Sequence, residues 1–390
     1  MDPMTAPRSA SRFRFARSTW RTLPLALAAL VSLSCASATS TDVAAPRAET
    51  SANTAVFPGA EWERHASPEA AGWSSVGLDS VRAMLDTMPS TGFMAVVGGR
   101  VVFAWGDLDT LSYLASVRKS ILSMLFGNYV ASGKVDLDKT LEQMGIDDHQ
   151  GLTPQEKQAT ARHLITSRSG VYHPASNAGD DLASAPPRGS QQPGTYQLYS
   201  NWDFNAIGYI FEQETGRNIF DALETDLARP IGFQDWNRAI HRKNGDSTRS
   251  RYLAYHMHLS TRDMARIGYL MLREGNWNGR QIVPGDWVRE TTRPVTRVWE
   301  MNPDRHRRGP FGYGYLWWIW DGEWNSGPYA GGYSGLGAVG QHITVLPALD
   351  LVVAHKTAPQ RGRRGVSHQQ YLALLDQLVR AHCGTECPRR

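Results

Sequence analysis

Ser116-Val117-Arg118-Lys119-Ser120-Ile121-Leu122 is the stretch from which the fold and the chemistry can both be read. Ile121, Leu122, Leu125 and Phe126 recur with helical spacing, and Gly133 supplies a stop, so a helix begins at or near Ser116. Ser116 and Lys119 lie three apart on its first turn and share one face, within reach of each other. A serine hydroxyl is a poor nucleophile without an adjacent base. A lysine acts as that base only when desolvation or neighbouring cations lower its pKa. The helix N-terminus adds a positive dipole end and free N–H groups suited to a developing oxyanion. Taken alone, the same four residues also describe an ordinary capped helix start.

Outward from this helix, Met94–Val97 and Arg100–Trp105 are β-type runs separated by Gly98-Gly99, a hairpin signal. Strand signals then lapse. From about 134 to 255 the pattern is helix and loop: Thr153-Pro154 with Glu156 begins one helix, and a polar, Pro-rich loop spans 174–198. Phe204, Ile207 and Phe211 mark a further helix ended by Gly216. Ser260 with Asp263 reads as a capping box for Met264–Leu272. Strand signals return in Tyr313–Trp320, Gln341–Leu346 and Leu349–His355, followed by an amphipathic helix through Tyr371, Leu374, Leu375 and Leu378. Strands at both ends with helices between them predict an α/β (α+β) fold. Its antiparallel sheet, flanked by helices, is built from N- and C-terminal parts, with an all-helical lobe inserted at about 134–255.

Two further segments carry candidate chemistry. In Tyr199-Ser200-Asn201 the phenol can relay a proton, and the Asn amide can bond both lysine and substrate. Read structurally, Asn201 is a helix N-cap and Tyr199 a packing residue. Gly335-Leu336-Gly337-Ala338-Val339-Gly340 spells G-x-G-x-x-G, but a β-run and Pro347 follow where a dinucleotide site needs a helix. Glycines beside an edge strand instead permit close backbone approach to a ligand, which suits an oxyanion donor.

Together these segments resemble the serine β-lactamase and penicillin-binding superfamily, whose first motif is S-x-x-K. The resemblance covers roughly residues 60–380. It extends to His163–Gly170, which is similar to that family's L-L-T-H-T-S-G segment, and to Ser260–Leu272, similar to its S-x-R-D-x-A-R helix. The branch most resembled is the class C-like hydrolases: esterases, D-aminopeptidase-like enzymes and, for Ser-Val-Arg-Lys-Ser and Tyr199–Asn205, the nylon-oligomer (6-aminohexanoate) hydrolases. The resemblance implies Ser116 as nucleophile, Lys119 as base and Tyr199 as proton relay, with an oxyanion hole from the N–H groups of Ser116 and Ala338. It implies cleavage of an ester or amide through an acyl-enzyme, with no cofactor. Alternatives are a β-lactamase or DD-peptidase, and a non-catalytic domain that is acylated without turnover. The family's third motif, Lys/His-Thr/Ser-Gly, falls on Gly335-Leu336-Gly337. Its last glycine is kept, but the cation and hydroxyl that would hold a β-lactam carboxylate are gone. Lys356-Thr357 looks like that motif but reads as a strand end.

Asn201, Tyr172 and Gly337 are the expected substrate contacts, Tyr172 with packing as its other reading. His256 and His258 share a strand face without a third ligand in view, so no metal site is expected. The 390 residues are 41% hydrophobic, enough for one large unit over 59–382. Five arginines precede the apolar run Leu23–Leu33, and Ala36-Ser37-Ala38 has the small-x-small form, so residues 1–38 read as a signal peptide and the protein as exported. With Asp2, that leader carries the whole formal charge of +4, so the remainder is near neutral and gives no sign of nucleic-acid binding. Residues 39–58 read as a flexible tether, Cys35 as a candidate lipid-anchor site, and 383–390, with Cys383 and Cys387, as a tail. No segment is long and apolar enough to span a bilayer. The expected partner is a small ester or amide substrate.

Overall fold

The computed structural model describes residues 55–358 and 365–386. The expected leader, residues 39–54 of the tether, Cys35 and Cys387 lie outside them. Within the expected tether, the Val56 N–H donates to the Gly98 carbonyl, and Phe57 packs edge-on against Trp277. Cys383 is disulfide-bonded.

Seven strands form one antiparallel sheet: β1 Gly92–Val97, β2 Arg100–Gly106, β3 Phe311–Tyr313, β4 Trp318–Trp320, β5 Tyr333–Gly337, β6 Gln341–Leu346 and β7 Leu351–Lys356. Their spatial order is β2-β1-β7-β6-β5-β4-β3, so N- and C-terminal segments meet where β1 pairs with β7, in register from Gly92–Lys356 to Val97–Leu351. Alternation sorts the side chains between two apolar layers. Phe93 and Ala95 join helices α1 (Ser75–Thr87) and α5 (His368–Arg380) on one face. Met94 and Val96 face α2 (Val117–Ala131) and the helix Thr261–Leu272 on the other. Ile121, Leu122, Leu125 and Phe126 of α2 are each at most 2% exposed. At about 1.5–3 kcal/mol for each such side chain, burial anchors this helix far more firmly than its helix propensities do.

Between α2 and Ala254 the described chain is helix and loop apart from one short strand, with α3 at Asn201–Thr215 and α4 at Thr261–Leu272 beyond it. The pair Arg242–Asn244 with Ala254–His256 is the strand structure that this stretch contains. Four expectations change in detail. Tyr313–Trp320 is not one strand but the β3–β4 hairpin, closed by a Gly314 N–H to Trp317 carbonyl bond of 2.9 Å, with Leu316 at positive φ. Thr153-Pro154 leads only to a 3-10 turn, Glu156–Gln158, whose first carboxylate is held by Arg188. Ser260 does cap α4, but Asp263 turns its carboxylate to the amides of Gln234 and Asp235 instead of completing a capping box. Finally, Gly335–Gly337, read as a turn beside an edge strand, is itself the end of β5, and β6 after it is no edge strand, being paired with both β5 and β7; β4 reaches β5 only at Tyr333 and Ser334, so Gly335–Gly337 has β6 alone as its paired neighbour.

Candidate active site

Ser116 stands at the N-cap of α2, yet its side chain caps nothing and is left free for chemistry. The chain reaches it through Ala115, which is forced to φ 48°, a left-handed conformation that costs a non-glycine residue of the order of 1 kcal/mol. The Leu114 N–H, bonded to the Met257 carbonyl, and the Leu114 carbonyl, accepting from Val117, over-determine that turn. One helical turn on, the Lys119 Nζ lies 2.9 Å from Ser116 Oγ, 2.7 Å from the Tyr199 hydroxyl and 2.8 Å from Asn201 Oδ1.

The partners come from the start of α3. Ser200, not Asn201, is its N-cap, accepting from the Asp203 N–H. Asn201 is therefore available: its amide NH2 donates to the Ala178 carbonyl, which fixes its oxygen toward Lys119. Tyr199 is clamped by aromatic contacts, stacked on Trp318 at 5.4 Å and tilted against Phe204 at 4.7 Å.

Burial sets the protonation states. Lys119 is 2% exposed, and its pKa is driven well below the usual lysine value, first by desolvation and then by the Arg118 cation, with Asp180 opposing. The rings of Tyr199 and Phe204, each 4.4 Å from Nζ, attract the ammonium form. That attraction is about 2 kcal/mol at best, below the several kcal/mol that desolvating a charge costs, so burial prevails and the net shift is downward. Burial raises the Tyr199 pKa despite the Ser116 hydrogen bond, so near neutrality it remains a phenol, able to donate a proton.

Ser116, Tyr199 and Ala338 open together onto a cavity of about 1180 Å³ with Phe311, Trp318, Trp320 and Leu336 along its apolar wall. Ala338 follows the last β5 residue, Gly337, whose pairing with Gln341 ends the ladder. Of the other expected site residues, Gly337 is buried, packed so that a Cβ would sit 2.7 Å from the Leu114 carbonyl oxygen. Asn201 reaches the site through Lys119. Tyr172 is buried with its hydroxyl unpartnered and is not among the cavity-lining residues. The Lys356 Nζ donates to the carbonyls of Ser112 and Leu259 in the interior, so it supplies no cation to the Gly335–Gly337 strand. His256 and His258 pack on Tyr113. Among the described residues no cluster of three or more His, Cys, Asp or Glu side chains could hold a metal ion.

Three contributors had no signal in the sequence. Asp180 lines the cavity and accepts from the Asn201 N–H. Asp181 donates its own N–H to the Tyr199 carbonyl, while its carboxylate is held by Arg305 and His306, some 125 residues away. Arg118 lies wholly inside.

Comparison with known proteins places the chain in a family. The beta-lactamase family model matches residues 79–374. The chain is 28% identical over 167 residues to the 6-aminohexanoate-dimer hydrolase of Paenarthrobacter ureafaciens, covering 43% of this chain and 40% of that one. It is 27% identical over 149 residues to esterase EstB of Burkholderia gladioli, covering 33% and 38%. These two matches thus span well under half the length of each relative. A penicillin-binding protein homologue from Caulobacter crescentus shares the fold, with a TM-score of 0.56 at 15% identity over 80% of this chain and 99% of that one.

Proposed function

The chain belongs to the beta-lactamase family, and from that premise we propose that it cleaves ester or linear amide bonds through an acyl-enzyme on Ser116. The single observation carrying this reading is the Lys119 amine within hydrogen-bond reach of both the Ser116 and Tyr199 hydroxyls. In the proposed mechanism Lys119 takes the proton from Ser116, whose Oγ adds to the substrate carbonyl. The oxyanion accepts from the N–H groups of Ser116 and Ala338. As the tetrahedral intermediate collapses, Tyr199 protonates the leaving alcohol or amine and recovers its proton from the Lys119 ammonium. A water, deprotonated through the same pair, then releases the acid and restores the serine. Oxyanion donors of this kind are worth about 3 kcal/mol each.

Substrate class follows from the walls. Phe311, Trp318 and Trp320 favour an ester or amide with a bulky apolar or aromatic group. The strand Gly335–Gly337 offers neither cation nor hydroxyl for a carboxylate beside the reacting carbonyl, which disfavours β-lactams and cell-wall peptides. We further propose an exported protein, as the leader pattern indicates. The test is a panel of p-nitrophenyl esters, linear amides and nitrocefin against wild type and Ser116→Ala, with intact-mass detection of a fluorophosphonate adduct. Turnover of esters or amides that is lost in Ser116→Ala, with one adduct in wild type, is expected. Nitrocefin turnover equal to the esters, or a stoichiometric adduct without turnover, would overturn the reading.

A further inference from the structure

Arg118 is the anomaly of the site. It is 1% exposed, and among the described residues no carboxylate pairs with it. One Nη donates to Asn205 Oδ1 at 3.3 Å, the guanidinium lies 4.4 Å over the Tyr255 ring, and Nε and the other Nη have no partner. Burying a cation on such terms costs several kcal/mol, whereas an apolar side chain of similar volume would fill the space between α2 and α3 without that cost. Packing therefore gives no reason for the charge. Its position does, because it directly precedes Lys119 inside the same low-dielectric interior.

We propose that Arg118 is a positioning residue of an electrostatic kind, the fixed buried charge that holds Lys119 in the amine form required of a base. Two cations cannot share a poorly solvated interior cheaply, and a guanidinium keeps its proton, so the lysine is the group that yields. Every charge facing the pair fits this division of labour. Toward Lys119 stand the neutral Tyr199, just before α3, and Asn201 and Phe204 of its first turn, and Asp180 is the one carboxylate whose field opposes the effect. Toward Arg118 stand the neutral Asn205 and Tyr255, and His256, which burial and Arg118 itself hold uncharged with a pKa of about 4. The lowered pKa of Lys119, with Arg118 as its second cause after burial, agrees with the geometry.

This inference rests on the proposed role of Lys119 and goes beyond it. The test is the pH profile of kcat/KM for a p-nitrophenyl ester, in wild type and three variants whose folding is checked by circular dichroism. Arg118→Met removes the charge. Asn205→Asp leaves the guanidinium and neutralises it with an adjacent carboxylate. Arg118→Lys replaces the permanent cation with an amine that can itself give up its proton in the same interior. The acid limb is expected to move up by about one pH unit in the first two, giving a roughly tenfold loss below the limb and little loss on the plateau, and to lie between those variants and the wild type in the third, whose amine yields its proton in part. A folded Arg118→Met or Asn205→Asp enzyme whose limb coincides with wild type overturns the inference, even if its plateau activity falls. Failure of the underlying reading looks different: the wild type would have no acid limb, or Lys119→Arg would remain active.

Discussion

Gly337 abuts Leu114 so closely that a Cβ on the glycine would lie 2.7 Å from the Leu114 carbonyl oxygen. That contact joins the two halves of the proposed oxyanion hole, because Leu114 sits two residues before Ser116 and Gly337 one before Ala338. The Leu114 carbonyl is fixed backbone, its residue's N–H bonded to Met257, and the Gln341 Cβ stands 2.9 Å from the same position, so Gly337→Ala must push β5 away from the turn that leads into α2. The expected result is a fall in kcat of about a hundredfold, the loss of one oxyanion donor. Slow fluorophosphonate labelling of Ser116 should persist. Unchanged kcat in this variant would remove Ala338 from the mechanism.

Lys119 tests the base. Because burial lowers its pKa, the amine should be populated well below the ordinary lysine range, and kcat/KM should rise with pH through that lowered value. Lys119→Arg retains a cation that does not deprotonate, so activity should fall about a thousandfold at every pH. Rescue of Lys119→Arg at high pH would contradict the assignment.

Tyr199→Phe isolates the phenol from its ring. The stack on Trp318 and the contact with Phe204 survive, so the cavity wall is expected to hold. What disappears is the group proposed to protonate the leaving group. p-Nitrophenolate leaves without protonation, whereas alkoxides and amines do not. Turnover of p-nitrophenyl esters should therefore drop less than tenfold, and of alkyl esters or linear amides about a hundredfold or more. Equal losses across that series would assign Tyr199 to another step.

These tests also mark where sequence reasoning reached and where it stopped. α2 was legible because Ile121, Leu122, Leu125 and Phe126 keep a 3.6-residue period, and the β1–β2 hairpin because Gly98-Gly99 is a turn signal no strand interior carries. The β3–β4 hairpin was not. Its turn uses Leu316 at positive φ, and its lone glycine, Gly314, is outweighed by Tyr313, Tyr315, Trp317 and Trp318, so composition there reads as one strand. The Ser116–Lys119 pair was legible because both lie on one helical turn. Tyr199 could enter only through motif order, since its 2.7 Å contact with Lys119 spans 80 residues. Arg118 was hidden for the opposite reason: an arginine on a helix ordinarily faces water, and nothing local announces that Asn205 and Tyr255 enclose it.

Asp148 supports the site from behind, and its role is one of stability. Its carboxylate, fully buried, accepts from the Trp202 indole N–H at 2.8 Å, the Arg251 N–H at 2.9 Å, the His149 N–H at 2.7 Å and the Ser250 hydroxyl. Trp202 belongs to the first turn of α3, directly after Asn201, so this carboxylate steadies the helix that carries Asn201. Burial alone would raise its pKa, but the bonds from Ser250, Arg251 and Trp202 outweigh it, and the net shift is downward. A folded-state pKa below the unfolded value gives stability that is present above the unfolded value, near 4, and disappears as pH falls through the folded one. Asp148→Asn turns an NH2 group toward donors and removes the charge that they solvate. It should cost about 3 kcal/mol in urea unfolding at pH 7 and distinctly less at pH 3, where the wild type has lost part of the same contribution. The same deficit at both pH values would mean that Asp148 acts through shape and not through charge.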